Sequence, residues 1–480
     1  MKSHRPIAAR SRFMWRLSLL LTGIPTLLGG VAAEHWAVIV AGSRGFENYR
    51  HQADACHAYH VVRRHGIPAE NVVLMMYDEV AHADENPFKG KLFNKPSNTT
   101  PVDVYAGCQV DYRGDDVTPD NFLSVLLGDS AATKGNKVLA SGPNDRVFVN
   151  FVDHGARGFV VFPHGEMLTA SMLTGTLNKM HAAKRYKELV FYVEACHSGS
   201  MFWSWSMSHI NAYVTTAANG WESSWGTYCP PMDVVNGTAI GTCLGDLYSV
   251  NWMEDSDLTD LSGESLSQQF NLVKKRTSKS HVEQFGSSHV RREIVGNFQS
   301  NYDVRTMIDD HDETERPQRE GVVSSLPALS AVDAHNIPLV AAFYRYLRAT
   351  KDDSERHNYA AALLHHIEMR EREDQLFDGL EAAYERLFGH KLPRHGSPPA
   401  NTMTECSEGV FTVFGDVVQA THGYEAHRTD MPTGFSAYSL QYAGVLLDLC
   451  SALHELERVR SFLRCALTES CGAIQAISSS

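Results

Sequence analysis

The chain lacks any surplus of positive charge. Its 43 Lys and Arg stand against 56 Asp and Glu, a formal net charge of −13 over 480 residues. No basic run interleaved with aromatics occurs, which argues against a nucleic-acid-binding face. Beyond the N-terminus no stretch is long and apolar enough for a membrane-spanning helix. No Cys or His spacing matches a structural zinc site, so no metal and no cofactor is expected. What remains is an ordinary globular composition, 43% hydrophobic and 21% charged, in a chain long enough for two domains.

At the N-terminus, Lys2, Arg5, Arg10, Arg12 and Arg16 precede the apolar stretch LSLLLTGIPTLLGG at 17–30, which ends in Val31, Ala32 and Ala33. A positive start, a short apolar core and a small-residue cleavage site predict a secretory signal peptide over residues 1–33. The mature protein is then expected to be soluble, without a membrane anchor, in the secretory pathway. Two sequons fit that route, Asn98-Thr99-Thr100 and Asn236-Gly237-Thr238, both in polar, loop-like sequence. Nine cysteines also fit an oxidising compartment. Cys229 and Cys243 flank the loop YCPPMDVVNGTAIGTC, which a disulfide could staple. Cys406, Cys450, Cys465 and Cys471 form a separate C-terminal group.

Two segments carry the chemistry, VNFVDHG at 149–155 and VFYVEACHSGS at 190–200. Each is an apolar run of strand length that stops at a reactive side chain. A strand ending this way delivers that group to the carboxyl edge of a sheet, where open α/β folds build their sites. His154 and Cys196 so placed make a general base and a thiol nucleophile. Gly155 lets backbone approach a substrate and can offer its N–H to an oxyanion. Alone, a strand-end Cys is more often a small buried hydrophobe, and a strand-end His a structural hydrogen-bonding residue. The pair in Gly-containing context favours a cysteine hydrolase.

Strand and helix patterns alternate from residue 36 to 218, predicting a largely parallel sheet with helices on both faces. Between about 286 and 335 the pattern dissolves, and DVRTMIDDHDETERPQREG is charged and nearly free of aliphatics, as in an exposed linker. From Ile337 onward the apolar spacing is helical throughout. The expected organisation is a signal peptide (1–33), an α/β domain (34–286), a linker or activation peptide (287–336) and a helical C-terminal domain (337–480).

VAGSRGFENYRHQADACHAYH, NFVDHG, FYVEACHSGSMF, TTAANGWESSWG and CLGDLYSVNWMEDSD resemble the legumain family, the asparaginyl endopeptidases or vacuolar processing enzymes. The resemblance is dense from about Glu34 to Gly286, closer to the plant form, and looser over the C-terminal 140 or so residues. It implies a caspase-like α/β core followed by an all-α autoinhibitory prodomain, and a vacuolar, lysosomal or secreted protein. Cys196 would be the nucleophile, His154 the base, Asn48 the residue orienting His154, and Asp153 the aspartate beside it. Gly155 and Cys196 would supply the oxyanion donors. The specificity pocket would be Arg50, Glu194 and Asp246, with Ser223 and Ser224 on its wall. A Cys406–Cys450 bridge follows from the same resemblance, with the pairing of Cys465 and Cys471 left open. His197 stands where many relatives carry Glu and is expected to face solvent.

The pocket chemistry supports the resemblance. A carboxamide has one carbonyl acceptor and two N–H donors, which a guanidinium and two carboxylates complement. Gln would be one methylene too long, and an ionised Asp would be repelled except at low pH. The expected function is therefore a cysteine endopeptidase cleaving protein or peptide substrates after Asn, and after Asp in acid. It would be made as a zymogen inhibited by its own C-terminal domain and self-cleaved near Asn297 or Asn301. Its thioester could also pass to an amine, giving ligation. A transamidase-like enzyme and a catalytically silent secreted homologue of the same fold are the alternatives.

Overall fold

In the computed structural model, residues 33–203, 207–301, 330–349, 353–393, 405–422 and 435–468 are described. The expected signal peptide, most of the linker and Cys471 lie outside the described residues. The strands, in chain order, are β1 (His35–Ala41), β2 (Val72–Met75), β3 (Arg146–Val152), β4 (Gly155–Ala156), β5 (Phe159–Val161), β6 (Met167–Thr169) and β7 (Glu188–Glu194). They continue as β8 (Ala212–Thr216), β9 (Trp225–Thr227), β10 (Val234–Val235), β11 (Thr238–Ala239), β12 (Gly245–Asp246), β13 (Glu283–Gly286) and β14 (Val332–Asp333). The main sheet has the order β13-β8-β7-β3-β1-β2, parallel except for β13.

Helices α1 (Tyr49–Arg64), α2 (Pro119–Leu127), α3 (Ala170–Ala182), α4 (Leu247–Leu258), α5 (Leu266–Arg276) and α6 (Gly296–Gln299) surround this sheet. Phe148, Val190 and Tyr192 point into one apolar cluster with α1 and α4 residues such as Tyr49, Val61 and Trp252. Their neighbours Val147, Val149 and Phe191 point into another with Phe122 and Leu126 of α2 and Leu177 of α3. Burial on both faces explains why β3 and β7 read as continuous apolar runs. Thr118 caps α2 by accepting a hydrogen bond from the Asn121 N–H, and Gly128, at φ 65°, ends it.

The C-terminal helices are α7 (Ile337–Arg348), α8 (Asp353–Phe388), α9 (Glu405–His422), α10 (Ala443–Leu453) and α11 (Leu456–Thr468). The apolar faces of α8 to α11 share one core, to which Ala156, Phe159 and Val161 of the β4–β5 hairpin contribute. Phe159 and Phe411 meet edge to face at 4.9 Å. Cys229–Cys243 and Cys406–Cys450 are bonded as expected. Cys465 is also disulfide-bonded. Cys56–Cys108, which no spacing in the sequence announces, ties α1 to the long polar loop after β2.

One boundary differs from expectation. Residues 287–301, assigned to the linker, are folded onto the α/β unit. Val290, Ile294, Val295 and Phe298 are buried, and Glu293 lies 3.8 Å from Arg146 on β3. The turns here are too short to leave a periodic pattern, yet each delivers an apolar residue to the core. Asn297 is consequently 1% exposed within α6, with its Nδ2 donating to Glu293. That burial removes it as a self-cleavage candidate, whereas Asn301 is exposed.

Candidate active site

The parallel strands β1, β3 and β7 end side by side, and their carboxyl ends deliver Gly42, Asp153-His154 and Ala195-Cys196 to one edge. Close approach here requires glycine. A Cβ on Gly42 would lie 2.8 Å from the Val161 carbonyl oxygen, and one on Gly155 would lie 2.5 Å from that of Cys196. Asn48, at the N-terminus of α1, reaches His154 by an Nε2···Oδ1 contact of 2.8 Å. The Asn48 amide is oriented by its own Nδ2 donating to the Arg44 carbonyl. Oδ1 is therefore the acceptor, Nε2 of His154 carries the proton, and Nδ1 keeps its lone pair. That Nδ1 is buried without a hydrogen-bond partner. Burial, then Arg50, pushes His154 well below the ordinary histidine range.

Cys196 is 1% exposed and is the free cysteine among the described residues. The Ser224 N–H donates to its Sγ at 3.3 Å. Arg50, Glu194 and Asp246 converge beside it, each 1% exposed. Arg50 Nε donates to Asp246 Oδ1 at 2.8 Å, and Glu194 Oε2 accepts from the backbone N–H and hydroxyl of Ser249. Glu194 Oε1 is buried without a hydrogen-bond donor, and Asp246 Oδ2 is buried facing Nε2 of His51 at 3.4 Å. Burial raises both carboxyls, and the Asp246 charge raises Glu194 further. Asp153 accepts from the His154 N–H and is likewise raised by burial. Ser224 is buried at the thiol, while the Ser223 hydroxyl lies 3.0 Å from Nδ1 of His335.

Several site residues were not picked out from the sequence. His51 sits between the two halves of the site, with Nδ1 2.6 Å from the Ser43 hydroxyl, Nε2 3.4 Å from Asp246, and its ring edge-on to His154. Asp54 accepts from the Asp246 N–H and from Asn94 Nδ2. Its helical spacing from Arg50, four residues on, was the available signal. His51, Asp153 and His154 could together approach a metal ion. However, Ser43, Asn48 and the His154 N–H already engage three of their polar atoms, and an imidazole tied to Asn48 suits proton transfer.

His197 departs from its expected solvent-facing position. It is half-buried at φ 56°, with Nδ1 3.2 Å from the Gly220 carbonyl. Burial first, then His335, lowers it to about 4. The reason is a neighbour that the linker supplies. β14 pairs antiparallel with β9, which carries His335 to the thiol and packs Ala334 and Ile337 against Cys196, Cys229 and Cys243. Burial disfavours the His335 charge, but its interactions with Cys196 and Asp333 outweigh it and push His335 to about 10. Arg370 donates to the His335 carbonyl and to Asn336. A cavity of ≈ 190 Å³ remains between Ser43, Asn48 and His154 on one side and His366, Arg370 and Tyr438 on the other. Asn98 and Asn236 are both exposed and adjacent, the Gly237 N–H donating to Asn98 Oδ1.

Residues 35–301 match the Peptidase C13 family. Legumain from Mus musculus is 39% identical over 467 residues, 93% of this chain and 97% of that one. Legumain from Homo sapiens is 37% identical over 471 residues with the same coverage. The vacuolar-processing enzyme beta-isozyme of Arabidopsis thaliana is 48% identical over 273 residues, 55% of this chain and 56% of that one.

Proposed function

Because the chain belongs to the Peptidase C13 family, we propose that this cysteine endopeptidase cleaves after Asn, and after Asp in acid, once its C-terminal helices leave the cleft. One observation carries the specificity. Glu194 Oε1 is buried without a hydrogen-bond donor, and Asp246, whose Oδ1 accepts from Arg50 Nε, turns Oδ2 toward His51 Nε2 at 3.4 Å. A carboxamide would give its two N–H groups to the acids and take a hydrogen bond from the arginine. An aspartate side chain fits only when it or a pocket acid is protonated, and the raised Glu194 and Asp246 bring that condition to higher pH.

Sγ of Cys196 attacks the carbonyl carbon while its proton passes to Nδ1 of His154, which Asn48 holds in position. The Gly155 and Cys196 N–H groups receive the oxyanion. The C–N bond breaks, His154 returns the proton to the leaving amine, and a thioester remains. Water activated by His154 releases the acid and restores the thiol. An amine in place of water forms a new C–N bond as the C–S bond breaks, which is ligation.

In the uncleaved chain β14 and Ile337 cover the pocket, and His335 occupies the thiol. Acid release cannot work through protonation of His335, because a histidine raised to about 10 already carries its charge throughout the acidic range. His197 has the opposite sign. It is held neutral down to about 4 in the closed state, whereas a solvated histidine titrates near 6.5. Between those values the open state binds more protons, so falling pH favours opening. The groups facing His197 are His335, Arg157, Asp333 and the Gly220 carbonyl. Ion pairs also bridge the two parts, Asp233 with Arg348 and Asp448 with Arg157. An acidic compartment such as a vacuole or lysosome is where such an enzyme would act.

Pre-incubating the full chain at stepped pH, then assaying at one fixed pH with matched peptides ending in Asn or Gln, tests this reading. Activity should appear as the pre-incubation pH falls below about 6.5. The Gln peptide should be roughly 10- to 200-fold slower. His197→Gln should move the onset to lower pH. Equal cleavage after Gln, or full activity without acid, would refute it.

A further inference from the structure

Arg157 lies three residues after His154, in the turn between β4 and β5. The turn is fixed to the strand end that carries Cys196. The Gly158 N–H donates to the Ser200 hydroxyl, which donates to the His197 carbonyl. A general base that returns its proton to the departing amine has the leaving peptide on its own side. The Arg157 turn therefore borders the leaving-group half of the cleft, opposite the half that holds Arg50, Glu194 and Asp246.

Two partners of Arg157 come from the C-terminal helices. Its Nη2 donates to Asp448 Oδ1 at 2.6 Å and to the Gly444 carbonyl at 2.7 Å, both on α10. A carboxylate beside a backbone carbonyl is what a peptide with an acidic group would present. The guanidinium also lies 5.3 Å over the Trp221 ring. That ring belongs to the α/β unit, so the aromatic shelf stays when α10 leaves and keeps the fork oriented. The neighbouring His197 adds no negative charge. We propose that Arg157 selects substrates bearing a carboxylate on the leaving-group side of the scissile bond, and that Asp448 occupies this subsite in the uncleaved chain. This rests on the reading that the C-terminal helices vacate the cleft. The carboxylate has two sources, an acidic side chain or a nearby chain terminus.

The test uses the acid-activated full chain at pH about 5.5, where Glu side chains are ionised. Peptides share Asn before the bond and carry Ala, Glu or Lys at the first two leaving positions. A further pair releases a dipeptide ending in either a free acid or an amide. Glu should exceed Ala in kcat/KM by roughly 3- to 10-fold, the scale of a solvent-accessible charge-assisted contact, with Lys below Ala. Preference for the free acid over the amide would assign the chain terminus as the better source, and preference for internal Glu the side chain. Arg157→Gln should bring the Glu-to-Ala ratio to about one, Arg157→Lys should keep part of it, and Arg157→Glu should invert it toward Lys. Should the variants misfold, competition by free-acid against amidated dipeptides in the unaltered chain reads the same preference. No acidic preference, or one that survives Arg157→Gln, overturns the proposal while leaving Asn cleavage intact. Absence of any Asn cleavage would overturn the underlying reading as well.

Discussion

Cys196→Ala is expected to leave a folded chain with no measurable peptidase activity. Removing the attacking atom takes away the covalent route altogether, and nucleophile deletions in protease sites cost about 10⁵-fold or more in kcat. The fold should tolerate the change. Cys196 is fully enclosed but small, and losing one sulfur from such a site costs on the order of 1 kcal/mol. The seven other described cysteines are disulfide-bonded, so none is poised to substitute as nucleophile. Self-processing should vanish with peptidase activity, and the full-length chain should persist through acid treatment. Electrophoresis after incubation at low pH, beside a peptide assay, checks both. Residual activity near 1% of the unaltered chain would move the nucleophile elsewhere.

Arg50→Leu is expected to cost both activity and stability, and the two losses have one cause. The guanidinium is the positive charge facing Asp246 directly, and both groups are buried. Without it Asp246, already raised by burial, would be driven further toward its protonated form. Breaking a buried pair by removing one partner costs about 3–5 kcal/mol. A pocket left with polar groups it cannot pair should also lose about 10³-fold or more in kcat/KM on Asn peptides. Arg50→Lys separates the effects. It restores charge, and so much of the stability, but not the planar fork, so catalysis should recover less than thermal stability does. Thermal unfolding measured beside kcat/KM decides the matter. An Arg50→Leu chain with an unchanged Asn-to-Gln ratio would mean the pocket lies elsewhere.

The parallel strands and their reactive ends were legible because each is a short, doubly buried run that stops at a chemically distinct residue. Asn48, Arg50, Glu194 and Asp246 were legible through motif resemblance, and their convergence follows from strand order and the start of α1. The rest depends on contacts that no local pattern encodes. His335 sits in sequence that reads as linker, and only the pairing of β14 with β9 brings it to Cys196. Arg157 gains its meaning from Asp448, 291 residues away. Cys56 looks like one more buried helix residue until the loop carrying Cys108 folds back on it. Residues 287–301 fill gaps in the core through isolated side chains rather than through a periodic face. His197 changes character for the same reason, since the segment that partly buries it lies far along the chain.

Cys196 is expected to attack the carbonyl of a residue whose carboxamide is held by Arg50, Glu194 and Asp246, a reaction open to direct trapping. Its most direct test is to treat the acid-activated protein with two short peptidyl electrophiles, identical except that one ends in Asn and the other in Gln, and to map the adduct by mass spectrometry. One adduct is expected, on Cys196, formed rapidly by the Asn reagent and at least tenfold more slowly by its Gln counterpart. An adduct on any other residue, or equal labelling by the two reagents, would contradict it.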